Sequence, residues 1–328
     1  MKCTLRTLIA GVLLSVSAGT VLAQQPYPSR TITIIVAFGP AGVTDSLNRI
    51  VAKHLSERFK VPVIVENRPG ANQLVGIQQL KSRPADGYTL YAGTGSALVQ
   101  NPGVRKDLPY DPAKDFQPIA LLGVQAGVIG AAPTLPAKNL KDFVEYVKAN
   151  PDKLNYASQG IGSAGHLSME YFMSRTSTKM AHIPFKSDSE VSAELMSGRV
   201  DVAFMTTQFA LPLAQAGKLR ILSSSSVKPL AFLPGIPSLS EAGVSGLEGL
   251  DPFTFYALVS LAGTPPEAVK LLNESVNSVI RLPEIAAQMR DVFRVEPRPG
   301  TPDDFRAFLQ DELAKWKEIG TRVKVDTR

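Results

Sequence analysis

TITIIVAFGPAGVTD, residues 31–45, carries the first clear signal of architecture in this chain. Residues 31–38 are β-branched and almost wholly apolar, the composition of a strand covered on both faces of a parallel sheet. Gly39 to Val43 break that run, and Thr44 or Asp45 opens a helix. Beyond it Leu47, Ile50, Val51, His54, Leu55 and Phe59 recur at three- and four-residue spacing. Outward from this unit the rhythm repeats. Residues 61–66 predict a second strand, the turn 67–71 (NRPGA) and a helix over 74–83 follow, and 88–92 form a third strand after the break at 84–87. A β-α-β-α-β order implies parallel strands joined by right-handed crossovers.

A second α/β rhythm runs from 119 to 223. Strands are expected at 119–122, 126–131, 155–157, 181–185, 200–205 and 219–223, with helices at 140–149, 166–175, 189–197 and 209–216. Residues 224–249, rich in Ser, Pro and Gly, read as a surface connection holding one short helix near 238–242. A strand at 253–261 and helices at 266–280, 283–291 and 302–319 complete the chain. The expected fold is therefore α/β with two lobes, each a mainly parallel sheet flanked by helices. Ligands of open parallel sheets bind beyond the carboxyl ends of the strands.

Composition narrows the function. Lys2 and Arg6, the apolar stretch 8–16 and Val21-Leu22-Ala23 fit a secretory leader cleaved after Ala23. The apolar run is short of the ~20 residues a spanning helix needs. Cys3 is the one cysteine and lies in that leader, which excludes disulfides, thiolate catalysis and Cys-ligated zinc from the mature chain. Removing the leader takes the formal charge from +6 to +4. The basic residues are scattered without interleaved aromatics, so nucleic acid is not an expected partner. His54, His166 and His182 lack metal-ligand spacing. No metal or cofactor is expected.

Three strand-to-helix loops draw attention. The first, Phe38-Gly39-Pro40-Ala41-Gly42-Val43-Thr44-Asp45, leads into a helix N-terminus, where unpaired N–H groups and the helix dipole favour an anion. Asp45 can cap the helix. The loop is neither a Walker A loop nor the dinucleotide glycine pattern; alternatively it is a plain tight turn. The second, Gly93-Thr94-Gly95-Ser96, offers two hydroxyls. The third, running from Ser158 through Gly162 and Ser163 to His166, offers hydroxyls and main-chain amides. Ser163, His166 and Asp201 could be drawn as a hydrolytic triad, yet no Gly-x-Ser-x-Gly elbow supports it.

Further motifs carry a family resemblance: Tyr27-Pro28; Phe38-x-Pro40-x-Gly42-x-Thr44-Asp45; Val65-Glu66-Asn67-Arg68-Pro69-Gly70-Ala71; Pro84-x-Asp86-Gly87-Tyr88-Thr89-Leu90; Leu108-Pro109-Tyr110-Asp111-Pro112 with Asp115-Phe116; Tyr156-Ala157-Ser158; His182-Ile183-Pro184-Phe185-Lys186; and Ala216-Gly217-Lys218-Leu219-Arg220. In this order they resemble the Bug proteins, periplasmic solute receptors of tripartite tricarboxylate transporters. The resemblance implies a type II, Venus-flytrap binding protein with lobe 1 over 24–122 and 253–328 and lobe 2 over 123–252. It implies hinge crossings near 120–124 and 250–255, and a ligand carboxylate held by amides and hydroxyls of Pro40 to Asp45, Thr94, Ser96, Ser158, Gly162 and Ser163, with His166 nearby. The loop after strand 200–204, with Met205 and Thr206, would form the far wall.

Two positions depart from the family pattern. Ala41-Gly42 replaces a frequent glycine pair, and Met205 stands where many members carry an Asp. An Asp there could pair with a ligand ammonium. Met205, with Phe38, Phe185 and Phe209, would instead present an apolar wall, favouring a dicarboxylate or aromatic carboxylate over an amino acid. The expected function is capture of a small carboxylate by hinge closure and delivery to membrane permease subunits, by a monomeric periplasmic receptor without enzymatic activity. The rival readings are a ligand sensor for a membrane receptor and an exported hydrolase using Ser163 and His166.

Overall fold

A computed structural model describes residues 26–230 and 232–321; the expected leader, 1–23, lies outside the described residues. The chain forms β1 (Ile32–Val36), α1 (Val43–Phe59), β2 (Val63–Asn67), α2 (Leu74–Lys81) and β3 (Thr89–Thr94). A wide helical turn at Ser96–Gln100 then runs into α3 (Asn101–Val104), followed by α4 (Pro112–Asp115) and the long β4 (Phe116–Gln125). Next come β5 (Gly127–Ala131), α5 (Leu140–Ala149), β6 (Asn155–Ser158), α6 (Ala164–Thr176), β7 (Ala181–Pro184), α7 (Asp188–Ser197), β8 (Val202–Thr206), α8 (Thr207–Gln215) and β9 (Arg220–Ser224). The chain ends with β10 (Thr254–Leu261), α9 (Pro266–Ile280), α10 (Pro283–Asp291), β11 (Val295–Pro297) and α11 (Pro302–Gly320).

The strands form two sheets, ordered β11-β4-β10-β3-β1-β2 and β7-β6-β8-β5-β9. Pairings within the β-α-β units are parallel: β1 with β2 and β3, and β6 with β7 and β8. The strands next to the crossings pair antiparallel, β10 with β3 and β4, and β5 with β8 and β9. Both sheets are therefore mixed. The first lobe gives way to the second between Gln125 and Gly127, and the chain returns just ahead of β10.

Residues 31–38 predict a strand covered on both faces, and β1 is that strand. Ile32, Ile34, Ile35 and Val36 are fully buried between β2 and β3. Ile32, Ile34 and Val36 face Leu47, Val51 and Leu55 of α1 and Leu272 and Val276 of α9. Ile35 faces the other way, into a core shared with Tyr91, Ile77 and Trp316. That second core continues into lobe 2 through Phe253, whose ring stacks on Phe204 at 5.0 Å. Complete burial of such side chains contributes roughly 1.5–3 kcal/mol each, so apolar packing can hold this fold without disulfides.

Three local expectations change. The short strand expected at 119–122 is the ten-residue β4, whose register against β10 slips near Pro118 and Gly123. Those two residues break the apolar pattern without ending the ladder. The helix expected near 238–242 is a pair of turns. The N–H groups of Glu241 and Ala242 both bond to the Ser238 carbonyl, and Gly243 at φ +70° turns the chain away. The helical stretch 96–104 was not anticipated, and it holds Pro102 and Gly103, two residues that ordinarily interrupt helices. Here Gly103 instead allows the backbone to touch α11 at Trp316.

Candidate functional site

Between the lobes lies a cavity of about 360 Å³, within the range of small-molecule sites. Helix N-termini converge on it: Gly42, Val43 and Thr44 of α1, Ser163 and Ala164 of α6, Ser187 to Ser189 of α7, and Thr206 of α8. Each presents main-chain N–H groups lacking helical partners and a partial positive charge. The α1 and α8 N-caps, Gly42 and Thr206, make no side-chain capping bond, so nothing of their own covers those amides. Thr206 Oγ1 is buried without a hydrogen-bond partner among the described residues.

The first loop is held from behind. Asp45 is buried, and its carboxylate accepts from the Ala41 N–H, Arg49 Nε and Asn67 Nδ2 at 2.8–3.0 Å. Asn67 Nδ2 also donates to the Phe38 carbonyl. Burial would raise the Asp45 pKa, but hydrogen bonds from Arg49, Asn67 and Ala41 outweigh it and hold the carboxyl below its usual value. Ala41 sits at φ +67°, a left-handed conformation that glycine adopts without strain. The bond from its amide to Asp45 helps keep it there.

The second loop rests on Gln73, whose side chain donates to Ser96 Oγ and accepts from Thr94 Oγ1 and Tyr91 Oη. The third rests on two stacked histidines. The rings of His166 and His182 lie 4.1 Å apart, and Tyr156 stacks on His182. His166 Nδ1 accepts the Gly162 N–H at 3.0 Å, and His182 Nε2 lies 2.7 Å from Ser158 Oγ. Burial, reinforced for His166 by its neighbour, pushes their pKa values down to about 3 for His166 and about 4 for His182. Both are therefore neutral supports at pH 7.

Phe38, Pro40, Gly42, Val43, Thr44, Thr94, Ser96, Ser163 and Thr206 are brought together on the cavity wall. The other anticipated residues sit elsewhere. Ala41 and Asp45 brace the first loop, and Ser158, Gly162 and His166 brace the third. Met205 is fully buried against Val128, Ala157 and Leu195 in the outer core of lobe 2, and Phe185 packs on the same cluster. Strand alternation aims Met205 away from the cleft, since its neighbour Thr206 faces it. Met205 therefore forms no ligand wall, and the case against an amino acid drawn from it falls.

The hydrolytic triad is not assembled. Ser163 Oγ accepts the His166 main-chain N–H, the imidazole Nδ1 is occupied by Gly162, and the Asp201 carboxylate accepts the Asn155 amide. Sequence reasoning missed Asn72, Gln159, Lys186, Asp188, Phe253 and Tyr256 on the cavity wall. Of these, Lys186 lay in a quoted motif and Gln159 lay within the third loop, Ser158 to His166. Asn72 belongs to a run, Ala71 to Gln73, with positive φ throughout, which no local residue pattern announces.

Two α/β lobes closing on a cavity ringed by helix N-termini define a clamping solute-binding protein. The chain belongs to the tripartite tricarboxylate transporter family receptors, whose description matches residues 47–324. It is 33% identical over 305 residues to a UPF0065 protein of Bordetella pertussis, covering 93% of each chain. The solved structure of Rhodopseudomonas palustris Rpa4515 with adipate is 29% identical, with a TM-score of 0.80, and the match covers 90% of this chain and 98% of that one. MatC from the same organism, with bound malate, is 26% identical at a TM-score of 0.78, covering 90% and 100%.

Proposed function

We propose that this protein is a periplasmic receptor that captures a small carboxylate, a dicarboxylate in preference to an amino acid, and delivers it to the permease subunits of a tripartite transporter. The observation that carries the reading is the convergence of helix N-termini from both lobes on one cavity. Main-chain donors from opposite halves can bind an anion only when the lobes are together, so the ligand shifts the population toward the closed form. Family membership and the adipate and malate of the two neighbours support the carboxylate class. The preference over amino acids now rests on those neighbours. Phe38, Phe209 and Phe253 on the cavity wall leave room in the proposal for an aromatic acid.

Both halves of the cleft come from one chain, so we take the working unit to be a monomer; the lobe boundary expected at 122/123 moves to the Gln125–Gly127 crossing, because β4 stays paired in the first sheet through Gln125, and the return is kept just ahead of β10. A thermal-shift screen of mono-, di- and tricarboxylates against amino acids tests the reading. A dicarboxylate that raises Tm in a concentration-dependent way is the expected result, since bound ligand stabilises by mass action. Stabilisation by amino acids alone, or by none of these compounds, overturns it.

A further inference from the structure

The cavity wall bears two charged side chains among the described residues, Lys186 and Asp188. A carboxylate in a site built for anions is the feature the proposed function leaves unexplained. Asp188 opens α7, directly after the N-cap Ser187. Its Oδ1 accepts from Gln159 Nε2 at 2.8 Å, a neutral donor on the third loop. Its Oδ2 makes no hydrogen bond within the described residues, and none of the ion pairs found there includes Asp188. Asp45 meets three donors including Arg49, whereas Asp188 meets one neutral side-chain donor, aided by the N-terminal dipole of α7.

We propose that Asp188 is a specificity-determining contact that binds one carboxylate of the ligand through a single shared proton, so that capture of a dicarboxylate takes up one proton. This rests on the carboxylate reading above and deepens it. Two carboxylates cannot both stay ionised in one site, and the usual resolution is a proton held between them. Before the ligand arrives, burial opposed by the Gln159 hydrogen bond already lifts Asp188 to about 6. A ligand dianion beside it raises it further. One proton from solvent then forms the O–H···O⁻ contact, and no covalent bond is made or broken. The other ligand carboxylate is left for the amides of α1 and α6.

Other titratable groups around Asp188 do not mimic this linkage. Tyr256 faces it from β10 of the other lobe, and burial, with the charge of Asp188, pushes that phenol far above neutrality. On its own element Glu190 accepts the Lys186 N–H, and Lys186 is a neighbour on the wall. Behind the third loop His166 and His182 stay neutral above about pH 5.

Isothermal titration of the whole mature protein with adipate and with malate, from pH 5.5 to 8.5, tests the proposal. Kd should weaken by close to tenfold per pH unit above about pH 7, with the slope falling to about half its value near pH 6. Titrations in buffers of different ionisation enthalpy should report uptake approaching one proton at pH 7.5. Asp188→Asn should abolish the pH dependence while keeping tight binding at pH 8, because its amide donates permanently. Asp188→Ala should weaken binding most at low pH. A pH-independent Kd in the wild type, proton release on binding, or an Asp188→Asn variant that retains the slope overturns the proposal and leaves the carboxylate reading standing. Absence of adipate and malate binding to both wild type and Asp188→Asn at every pH, with the wild type folded by circular dichroism, instead sinks the dicarboxylate reading and this proposal with it.

Discussion

Replacing Gly162 with alanine separates what holds the third loop from what holds the lobes together. Gly162 lies at φ +76°, so any L-residue there carries left-handed strain of about 1–2 kcal/mol. That strain is local and present whether the clamp is open or shut. It should appear as a fall in Tm of roughly 2–8 °C, at about 2–4 °C per kcal/mol for a chain of this order of size. A second effect depends on closure. A Cβ at Gly162 would stand 2.7 Å from Asn101 Oδ1 and 2.9 Å from Asn72 Nδ2, both in the other lobe. Asn101 cannot simply swing aside, because its Nδ2 donates to the Ser96 and Gly162 carbonyls at 2.9 and 3.0 Å. Either Asn101 yields and the interlobe hydrogen bond is lost, at about 1 kcal/mol, or it stays and the contact is overpacked, at about 1–3 kcal/mol. Closure weakened by about 1–3 kcal/mol corresponds to an affinity loss of roughly 5- to 150-fold.

Gly160→Ala is the control. Gly160 sits at φ +110°, but the nearest atom to an added Cβ is the Phe185 carbonyl oxygen, 3.6 Å away in the same lobe. Thermal denaturation and titration with a carboxylate ligand should show both variants losing Tm, with Gly162→Ala alone losing affinity. Removing the obstruction with Asn101→Ala should return part of the binding to Gly162→Ala, a coupling readable as a double-mutant cycle. Equal Kd values for wild type, Gly160→Ala and Gly162→Ala would refute the claim that Asn101 and Gly162 meet in the ligand-bound form.

Two further outcomes concern stability. Gly103→Ala puts a Cβ 2.5 Å from Trp316 Cβ and 2.7 Å from the Trp316 carbonyl carbon; backbone cannot yield there, so chemical denaturation should show a loss of about 1–3 kcal/mol with Kd unchanged for the molecules that remain folded. The second outcome follows from His182, whose pKa is lowered to about 4 from an ordinary 6.5. Its stabilising contribution is present above pH 6.5 and is lost as pH falls toward 4, because the unfolded chain takes the proton first. Between pH 7.5 and 5 His182→Gln should therefore lose less stability than the wild type, by an amount that the partial exposure of the ring reduces through solvent screening. A parallel pH profile for the two proteins contradicts the buried neutral ring.

The legible parts of the fold were those where one local pattern decides. The apolar run at 31–38, the spacing Leu47-Val51-Leu55, and prolines opening α9, α10 and α11 are all short-range signals. Strand-helix loops were legible for the same reason, which is how Thr44, Thr94, Ser163 and Thr206 were found before their convergence was seen. What escaped depends on partners distant in sequence. Gly103 is helical because α11 approaches it from some two hundred residues away. Met205 misled because the reading used its place after a strand, whereas the alternation of β8 decides which neighbour faces the cleft. Asp188 carries no local signal in the sequence, and only the packing of the lobes places it on the cavity wall.

The charge arrangement of the cleft bears on selectivity. No arginine lines it, and Lys186 is its one cationic side chain within the described residues. A guanidinium there would bind any accessible carboxylate through two strong bonds. Main-chain amides at helix ends instead supply fixed partial charges, already ordered by Asp45, Gln73 and the histidine pair before the ligand arrives. Such donors reward a carboxylate placed where they point and offer little to one displaced from them. With attraction distributed this way, a single opposing group has large leverage over which anions stay. Asp188 is that group: if it shares a proton with one end of the guest, the distance from Asp188 to the α1 and α6 amides becomes the ruler for the guest's length. Chain-length preference among α,ω-dicarboxylates should therefore be sharp in the wild type and blunt in Asp188→Ala, and an equally sharp preference in both would place the ruler elsewhere in the cleft.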